Sequence, residues 1–271
     1  MSGPNQGKAV IDTSVPHPAR RYNYWLGGKD NFAADRESAD EIERKFPGMR
    51  AGVRANRAFL QRAVGFLTAE AGIRQFLDIG TGLPTADNTH EVAQRIAPES
   101  RILYVDNDPL VMTHARALLT SSPEGKTGYL EADLRDPAAI LDSKLLRDTL
   151  NLSEPVALML VAILHFIPGD GAAQPLVRQL VDALPSGSYV AISNFTLDFM
   201  PPAMRDAYRQ MQASGRGDVW PRDRDEFTAL FDGTELVEPG VEVPSRWRPD
   251  VDTEQPDPSL ISMWAGMGRK P

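Results

Sequence analysis

The sequence predicts an α/β fold, a parallel sheet with helices on both faces, and three observations support this prediction. Residues 75–79 have the apolar character of a buried parallel strand, and a loop with two glycines follows them directly. Downstream, short apolar runs alternate with amphipathic stretches, which is typical of βαβ units. Residues 155–163, PVALMLVAI, are apolar on both faces, as expected of a central strand.

The composition narrows the classes of protein to which the chain can belong. Its 271 residues suffice for one α/β domain with additions, and the lack of cysteine excludes disulfides, thiolate metal sites and cysteine nucleophiles. The histidines show no metal-ligand spacing, so no metal is expected. A net charge of −8 gives no general affinity for nucleic acid or anionic membranes, so neither is an expected partner.

Targeting segments are not evident in the sequence. The longest apolar run, residues 156–164, has nine residues, whereas a membrane-spanning helix needs about 20. Residues 1–14 are small and polar, without an apolar signal core. We therefore expect a cytoplasmic protein with a mobile N terminus at 1–14. Residues 15–72 are expected to form a lid segment with helices, in one compact unit with an α/β domain at 73–271.

Residues 15–37 combine aromatic, arginine and glycine residues without a clean period. In one interpretation the rings tether this segment to the domain. In the other the segment is a lid over a ligand, with Tyr22 and Tyr24 for stacking and Arg20, Arg21 and Lys29 for a carboxylate.

The elements that follow are predicted from apolar periodicity and from capping residues. A polar helix stops near Pro47 and Gly48, and a longer amphipathic helix carries Asn56 and Arg57 in its polar set, where either side chain faces solvent or points into a pocket. The predicted helices are residues 33–45, 49–70, 88–96, 109–120, 171–184, 201–214 and 221–231. The predicted strands are residues 75–79, 101–105, 128–132, 155–163, 189–194, 234–237 and 260–267. A Pro-rich connection, 238–259, is expected to be anchored by Trp247.

The loop after the first strand has the features of a nucleotide-type pocket. Gly80 and Gly82 let the backbone approach a ligand closely, and Pro84 and Thr85 stand where a helix with unbonded N–H groups can begin. A G-x-G-x-x-G dinucleotide signature would require glycine where Thr85 stands. Asp78 lies in the strand just before the first glycine.

Acidic residues also follow the next two strands. Asp106 lies 28 residues after Asp78, where a carboxylate can accept hydrogen bonds from both ribose hydroxyls of a nucleoside. Asp108 and Pro109 are expected to cap and start a helix. Asp133 either reaches an adenine amino group or caps a loop. The spacing of these acids does not separate a nicotinamide cofactor from S-adenosylmethionine.

His165 follows the central strand, at the sheet edge where α/β proteins bind ligands. It is either a pocket-lining base for proton transfer or a histidine that holds a loop by hydrogen bonds. Tyr22 and Tyr24 are weaker candidates for a base. Farther on, four residues recur at near-helical spacing, and they form either core packing or a pliable wall over a substrate pocket: Met200, Met204, Tyr208 and Met211.

Several segments together resemble a bacterial family of S-adenosyl methyltransferases that was long counted as a domain of unknown function. The D-x-G-T-G pattern at Asp78 is similar to the first motif of class I methyltransferases, although the third glycine of many members is replaced. The segments cover most of residues 15–270: PARRYNYWLGGKDNFAADRE, VRANRAFLQRAV, FLDIGTGLPT, YVDNDP, GYLEADLRDP and GSYVAISNF.

The resemblance implies a Rossmann-like seven-stranded sheet of order 3-2-1-4-5-7-6, in which the last strand but one in space is antiparallel. It also implies an S-adenosylmethionine site, with S-adenosylhomocysteine as product, and Arg57 belongs to the same candidate set. Asp78, Gly80, Thr81 and Gly82 would surround the amino-acid end, Asp106 and Asn107 the ribose, Asp133 and Leu134 the adenine, Ala162 to His165 the sulfonium, and Tyr22 and Tyr24 would cover the ligand.

The sequence therefore predicts a methyltransferase that acts on a small molecule, with His165 as the candidate base. Two alternatives stay open at this point. One is a protein that binds S-adenosylmethionine or S-adenosylhomocysteine without catalysis, which a pocket closed above the methyl position would favour. The other is a nicotinamide-dependent oxidoreductase, against which the residue at 85 and the acid at 78 argue.

Overall fold

A computed structural model describes residues 12–118, 120–215, 217–250 and 255–271. The prediction of a mobile N terminus falls mostly outside the described residues. The helices are α1 Pro18–Trp25, α2 Ala33–Lys45, α3 Met49–Ala69, α4 Thr89–Ile96, α5 Pro109–Leu118, α6 Pro137–Leu141, α7 Lys144–Thr149, α8 Ala173–Asp182, α9 Pro202–Ala213, α10 Arg224–Thr228 and α11 Pro258–Ile261. The strands are β1 Gln75–Ile79, β2 Arg101–Asp106, β3 Lys126–Glu131, β4 Ala157–Val161, β5 Tyr189–Phe195, β6 Glu235–Leu236 and β7 Met263–Arg269. Single 3₁₀ turns lie at Leu164–Phe166, Ala229–Phe231 and Pro244–Arg246.

The described strands form one seven-stranded sheet in the order β3-β2-β1-β4-β5-β7-β6. The five strands from β3 to β5 are parallel, and β7 runs antiparallel to both β5 and β6. The predicted sheet order and the antiparallel position of the last strand but one in space are thereby confirmed. The carboxyl ends of β1, β2 and β4 lie side by side, so the loops after them meet at one edge.

Alternate residues of each strand point to opposite faces of the sheet, and two hydrophobic cores result. Leu77 and Leu103 lie in one core with apolar residues of α8 and α10, whereas Phe76 and Tyr104 lie in the other with α3 and α4. Trp247 is fully buried in the second core, where it meets Phe59 and Phe66 edge to face, so its predicted role as the anchor of the Pro-rich connection is confirmed.

The segment at residues 15–37 contains α1, a helix that the sequence pattern did not predict. The helix has eight residues, and Arg20, Arg21 and Asn23 are buried in it, so it shows no apolar stripe. Asp35 of α2 compensates the first cation, because its carboxylate lies 3.2 Å from Arg20 Nε and also accepts from the His17 backbone. Arg20 is therefore a structural cation rather than a ligand for a substrate carboxylate. Among the described residues, no helix is long and apolar enough to cross a membrane.

Candidate functional site

Two cavities adjoin each other at the carboxyl edge of the sheet. The smaller has a volume of about 230 Å³ and is lined by the loop after β1, the end of β2, α1 and α3. The larger has a volume of about 610 Å³ and lies between α1, α2, the turn after β4, and α9. We call the residues that line both cavities the neck: Pro18, Tyr22, Ala162 and Phe166.

The glycine loop forms one wall of the small cavity. Gly80 has φ +78°, and a Cβ atom at this position would lie 2.6 Å from the Ile163 side chain, so the position requires glycine. The Gly80 N–H donates to Val105 O at 2.8 Å, and the Gly82 N–H donates to Asp106 Oδ2 at 2.9 Å. These two N–H groups of the loop are therefore hydrogen-bonded within the protein.

The helix after the loop begins close to the predicted range 88–96 and not directly at Pro84 and Thr85, where the sequence also allowed a start. The helix α4 begins at Thr89 rather than near Pro84, and Asn88 and Glu91 form a capping box at its N terminus. The His90 N–H also donates to the Tyr104 hydroxyl, so few backbone donors remain there for a pyrophosphate. The arrangement suits a ligand without a phosphate.

Two buried carboxylates of the small cavity differ in their partners. Asp78 Oδ2 accepts a hydrogen bond from Thr89 Oγ1 at 2.5 Å, and burial raises the pKa of Asp78 to about 6. Asp106 accepts from the backbone of Gly82 and, at 2.9 Å, from Asp108 N–H. Burial raises the pKa of Asp106 as well. A carboxylate accepts at several lone pairs, so both can still receive donors from a ligand.

Two donors at the small cavity are buried without a partner among the described residues. Arg57 Nη2 donates to Ala86 O at 3.0 Å and to Asn88 Oδ1 at 3.1 Å, but its Nε has no partner. The hydroxyl of Thr85 is likewise buried and unpaired. Buried donors are rarely left unsatisfied in native proteins, so these two mark the polar end of the cavity. The sequence left open whether Arg57 faces solvent; the structure places it on the cavity.

A chain of hydrogen bonds crosses behind the neck. Asn56 Nδ2 donates to the Tyr22 hydroxyl at 3.0 Å, and that hydroxyl donates to Val53 O at 3.2 Å. Ser193 Oγ donates to Asn56 Oδ1 at 2.5 Å and accepts from the Ala162 N–H at 2.9 Å. Ala162 has φ +57°, a strained conformation for a residue with a side chain. The network therefore holds the end of β4 against α1 and α3.

The small cavity brings together most of the residues that the sequence predicted for it. They are Tyr22, Arg57, Asp78, Gly80, Thr81, Gly82, Asp106, Asn107 and Ala162.

Tyr24, Asp133 and Leu134 do not line the small cavity. Tyr24 lies roughly 200° around α1 from Tyr22, and its hydroxyl donates to Asp40 at 3.0 Å. The Asp133 carboxylate is bound by Arg135, which holds its pKa well below the usual range. It reaches the site only through Asn107, whose Nδ2 donates to it at 3.2 Å. Leu134 is buried in the core. The adenine contacts predicted for this pair stay a prediction.

The four residues of uncertain role around α9 line the large cavity: Met200, Met204, Tyr208 and Met211. They also pack with one another, so both interpretations of the sequence hold at once. Tyr208 lies 5.5 Å from Phe195 and 5.7 Å from Phe46 between ring centroids. Its hydroxyl donates to Val219 O at 2.7 Å, so the ring presents an apolar surface to the cavity.

His165 lies on the large cavity, not the small one. Its Nδ1 accepts from the Phe195 N–H at 3.4 Å, and its carbonyl accepts from the Trp220 N–H. Burial and the positive charge of Arg222 lower the pKa of His165 to about 3. The imidazole is therefore neutral at physiological pH and is a weak base, which weakens the predicted role in proton transfer.

Arg222 is a buried residue that the sequence analysis missed. It donates to Leu164 O at 2.9 Å, to Asn194 Oδ1 at 3.0 Å and to Ile167 O at 3.1 Å. The bonds to Leu164 O and Ile167 O hold the turn that carries His165 and Phe166, and the bond to Asn194 ties it to β5. Nothing in the local sequence marks this arginine, because its three acceptors come from distant segments.

Comparisons with known proteins agree with this geometry. The sequence matches the family described as S-adenosyl methyltransferase over residues 4–271. A DUF574 family protein of known structure from Streptomyces avermitilis is 48% identical with a TM-score of 0.90, over 97% of this chain and 100% of that chain. A protein from Thermobifida fusca, provisionally assigned as a methyltransferase, is 43% identical with a TM-score of 0.86, over 96% of both chains. An O-methyltransferase family protein from Burkholderia thailandensis shares the fold alone: 14% identity, TM-score 0.51, 85% of this chain and 62% of that chain. No curated protein is significantly similar.

Proposed function

This chain belongs to the S-adenosyl methyltransferase family, and from that premise we propose that it transfers a methyl group from S-adenosylmethionine to a small molecule. The observation that carries the proposal is the neck, where a small polar cavity meets a large apolar one at Tyr22, Ala162 and Phe166. A group transfer between two bound molecules needs such a junction. A protein that only binds the cofactor does not require a second cavity at this position.

The residues of the small cavity fit S-adenosylmethionine at both of its polar ends. Arg57 Nε and the Thr85 hydroxyl are unpaired donors suited to the carboxylate, and Asp78 suits the ammonium group. Asp106 suits the ribose hydroxyls, with Asn107 beside it. Held there, S-adenosylmethionine would supply a methyl group on a sulfonium for transfer to a lone pair of the acceptor, with the electron pair of the S–C bond left on sulfur.

The protein contributes mainly orientation and exclusion of water in this proposal. Ala162 and Phe166 separate the two cavities, and the hydrogen bonds of Asn56 and Ser193 fix Ala162 in place. His165 is close to this junction as a neutral imidazole. We propose that it positions the acceptor by a hydrogen bond; the role of a general base predicted from the sequence would require a stronger base than its lowered pKa allows.

Calorimetric titration with S-adenosylhomocysteine, S-adenosylmethionine and NADH tests the cofactor. We expect binding of the first two and no heat with NADH. Binding of NADH alone would contradict the proposal and revive the oxidoreductase alternative. A screen for release of S-adenosylhomocysteine in the presence of candidate acceptors then separates an enzyme from a binding protein without catalysis.

A further inference from the structure

We propose that the large cavity binds an uncharged, largely apolar organic molecule, and that this molecule is the methyl acceptor. The identification of this molecule as the methyl acceptor rests on the proposed function, whereas its chemistry follows from the cavity itself. At about 610 Å³ the cavity lies within the range of roughly 300–1,000 Å³ that is typical of sites for drug-sized ligands.

Its wall is apolar and adaptable. Three methionines on or beside α9 line the cavity: Met200, Met204 and Met211. They belong to one apolar cluster with the rings of Phe46 and Phe195, which line it as well. Methionine side chains are flexible and polarisable, and they pack well against aromatic rings of varied shape. Such a wall favours a flat or irregular apolar molecule over a small polar metabolite.

The charged residues of this wall neutralise one another. Among the described lining residues, the cations are Arg21 and Lys45 and the anions are Glu41 and Asp218. Lys45 Nζ lies 2.7 Å from Glu41 Oε1, with both side chains more than half exposed, so this pair stands at the solvent rim. Arg21 is bound by Asp218 and by Ser38 Oγ, and its side chain is only 9% exposed.

A charged acceptor would have to break one of these pairs. The Asp218 side chain is half exposed, but an anion at Arg21 would compete with it, and a cation at Asp218 would compete with the buried guanidinium of Arg21. Weakening the partner of a buried charge is unfavourable. An uncharged molecule avoids that cost, because it needs no counter-charge from the wall.

Two hydroxyl groups of the wall are also already engaged. The Tyr208 hydroxyl donates to Val219 O, and the Tyr22 hydroxyl donates to Val53 O. Their rings therefore offer apolar contact. His165, next to the neck, is the neutral polar group best placed to meet a single hydroxyl or amine of the bound molecule.

A matched pair of fluorescent probes tests the proposal on the intact protein. N-phenyl-1-naphthylamine is uncharged, and 8-anilinonaphthalene-1-sulfonate is the same skeleton with a negative charge. We expect the uncharged probe to bind at least tenfold more tightly. Met204→Trp and Met211→Trp, which fill the cavity, should each weaken the binding of the uncharged probe at least tenfold. Gln210→Trp is the control, because it places the same ring on the exposed side of α9.

Titration of each variant with S-adenosylhomocysteine, together with its melting temperature, separates the two proposals. Unchanged binding of S-adenosylhomocysteine with loss of the uncharged probe supports the inference. Equal or tighter binding of the sulfonate, or probe binding that neither cavity-filling variant weakens, overturns it. Failure of S-adenosylhomocysteine to bind the unaltered protein would overturn the proposed function instead, and the probe results would still decide the chemistry of the cavity.

Discussion

The two cavities that meet at the neck differ in how the chain builds them. The small cavity takes most of its polar groups from residues 78–85 and 106–107, two short segments at the ends of adjacent parallel strands. The large cavity draws its wall from α1, α2, α9, the turn after β4 and the residues around α11, which are far apart in sequence. A site for a constant ligand can be built on one local motif. The large cavity exists only when several distant segments have packed together.

The two cavities also differ in the state of their polar and charged groups. The small cavity holds buried groups whose charge or hydrogen bonding is incomplete, such as Asp78 and Arg57 Nε. The large cavity pairs its charges internally. In our proposals the first arrangement binds the zwitterionic end of the cofactor, and the second favours an uncharged molecule. Variants that affect one cavity and spare the other test whether this division is correct.

The largest effect is expected from Gly80→Ala. A Cβ atom in the left-handed conformation and its overlap with Ile163 should destabilise the fold by about 2–4 kcal/mol, with loss of S-adenosylhomocysteine binding. Gly65→Ala is the matched control, because that helical position has open space around it. It should stabilise α3 by about 1 kcal/mol. Denaturant unfolding checks both, and equal stability of the two variants would contradict the assignment.

Asp106→Asn should weaken the binding of S-adenosylhomocysteine by about 10- to 100-fold, since hydrogen bonds to a charged group are worth about 1.5–3 kcal/mol. The uncharged probe of the large cavity should bind as before. Asp136→Asn alters an exposed helix cap outside both cavities, and should leave both ligands unaffected. Loss of the probe together with S-adenosylhomocysteine would mean that the two cavities do not act separately.

The affinity for S-adenosylhomocysteine should fall as the pH drops below about 6, because Asp78 takes up a proton there and loses its attraction for the ammonium group. Roughly tenfold weaker binding is expected at pH 5 than at pH 7.5. Asp78→Asn should bind weakly with a much flatter profile, and the raised pKa of Asp106 leaves a residual slope. An unchanged slope in the variant would remove Asp78 from this role.

The raised pKa of Asp78 also predicts how the stability of the fold changes with pH. The pKa in the folded state lies above the unfolded value of 3.8, so the folded state keeps the proton up to a higher pH than the unfolded state does. The unfolding free energy of the natural protein should therefore fall relative to Asp78→Asn as the pH rises from 4 to 6, by up to about 3 kcal/mol. Urea unfolding at several pH values measures the difference, and a difference of opposite sign would contradict the burial argument.

The smallest effect separates the two tyrosines of α1. Tyr22→Phe removes the hydrogen bonds to Val53 and Asn56 at the neck, and should weaken the binding of S-adenosylhomocysteine by about 2- to 10-fold. Tyr24→Phe removes a bond to Asp40 away from both cavities and should change the affinity less than twofold. Calorimetric titration of the pair measures both, and equal losses would show that Tyr24 acts on the site after all.

Much of the fold could be predicted because its signals are local. The apolar runs of β1 and β4, the caps at Asp108 and Asp136, and the proline that starts α5 depend on a few neighbouring residues. Helix α1 could not be predicted in this way. Its buried arginines are compensated by Asp35 and Asp218, which lie in other segments, and a local pattern cannot reveal a distant partner.

The sheet, the glycine loop and the acids at the strand ends could be predicted from the sequence alone, because parallel strands bring their carboxyl ends to one edge whatever the details of packing. The folded structure was needed to show that Tyr22 lines both cavities and Tyr24 neither, and that His165 lies on the apolar cavity as a neutral imidazole. Each of these depends on burial and on long-range hydrogen bonds, which exist only once the distant segments have packed together.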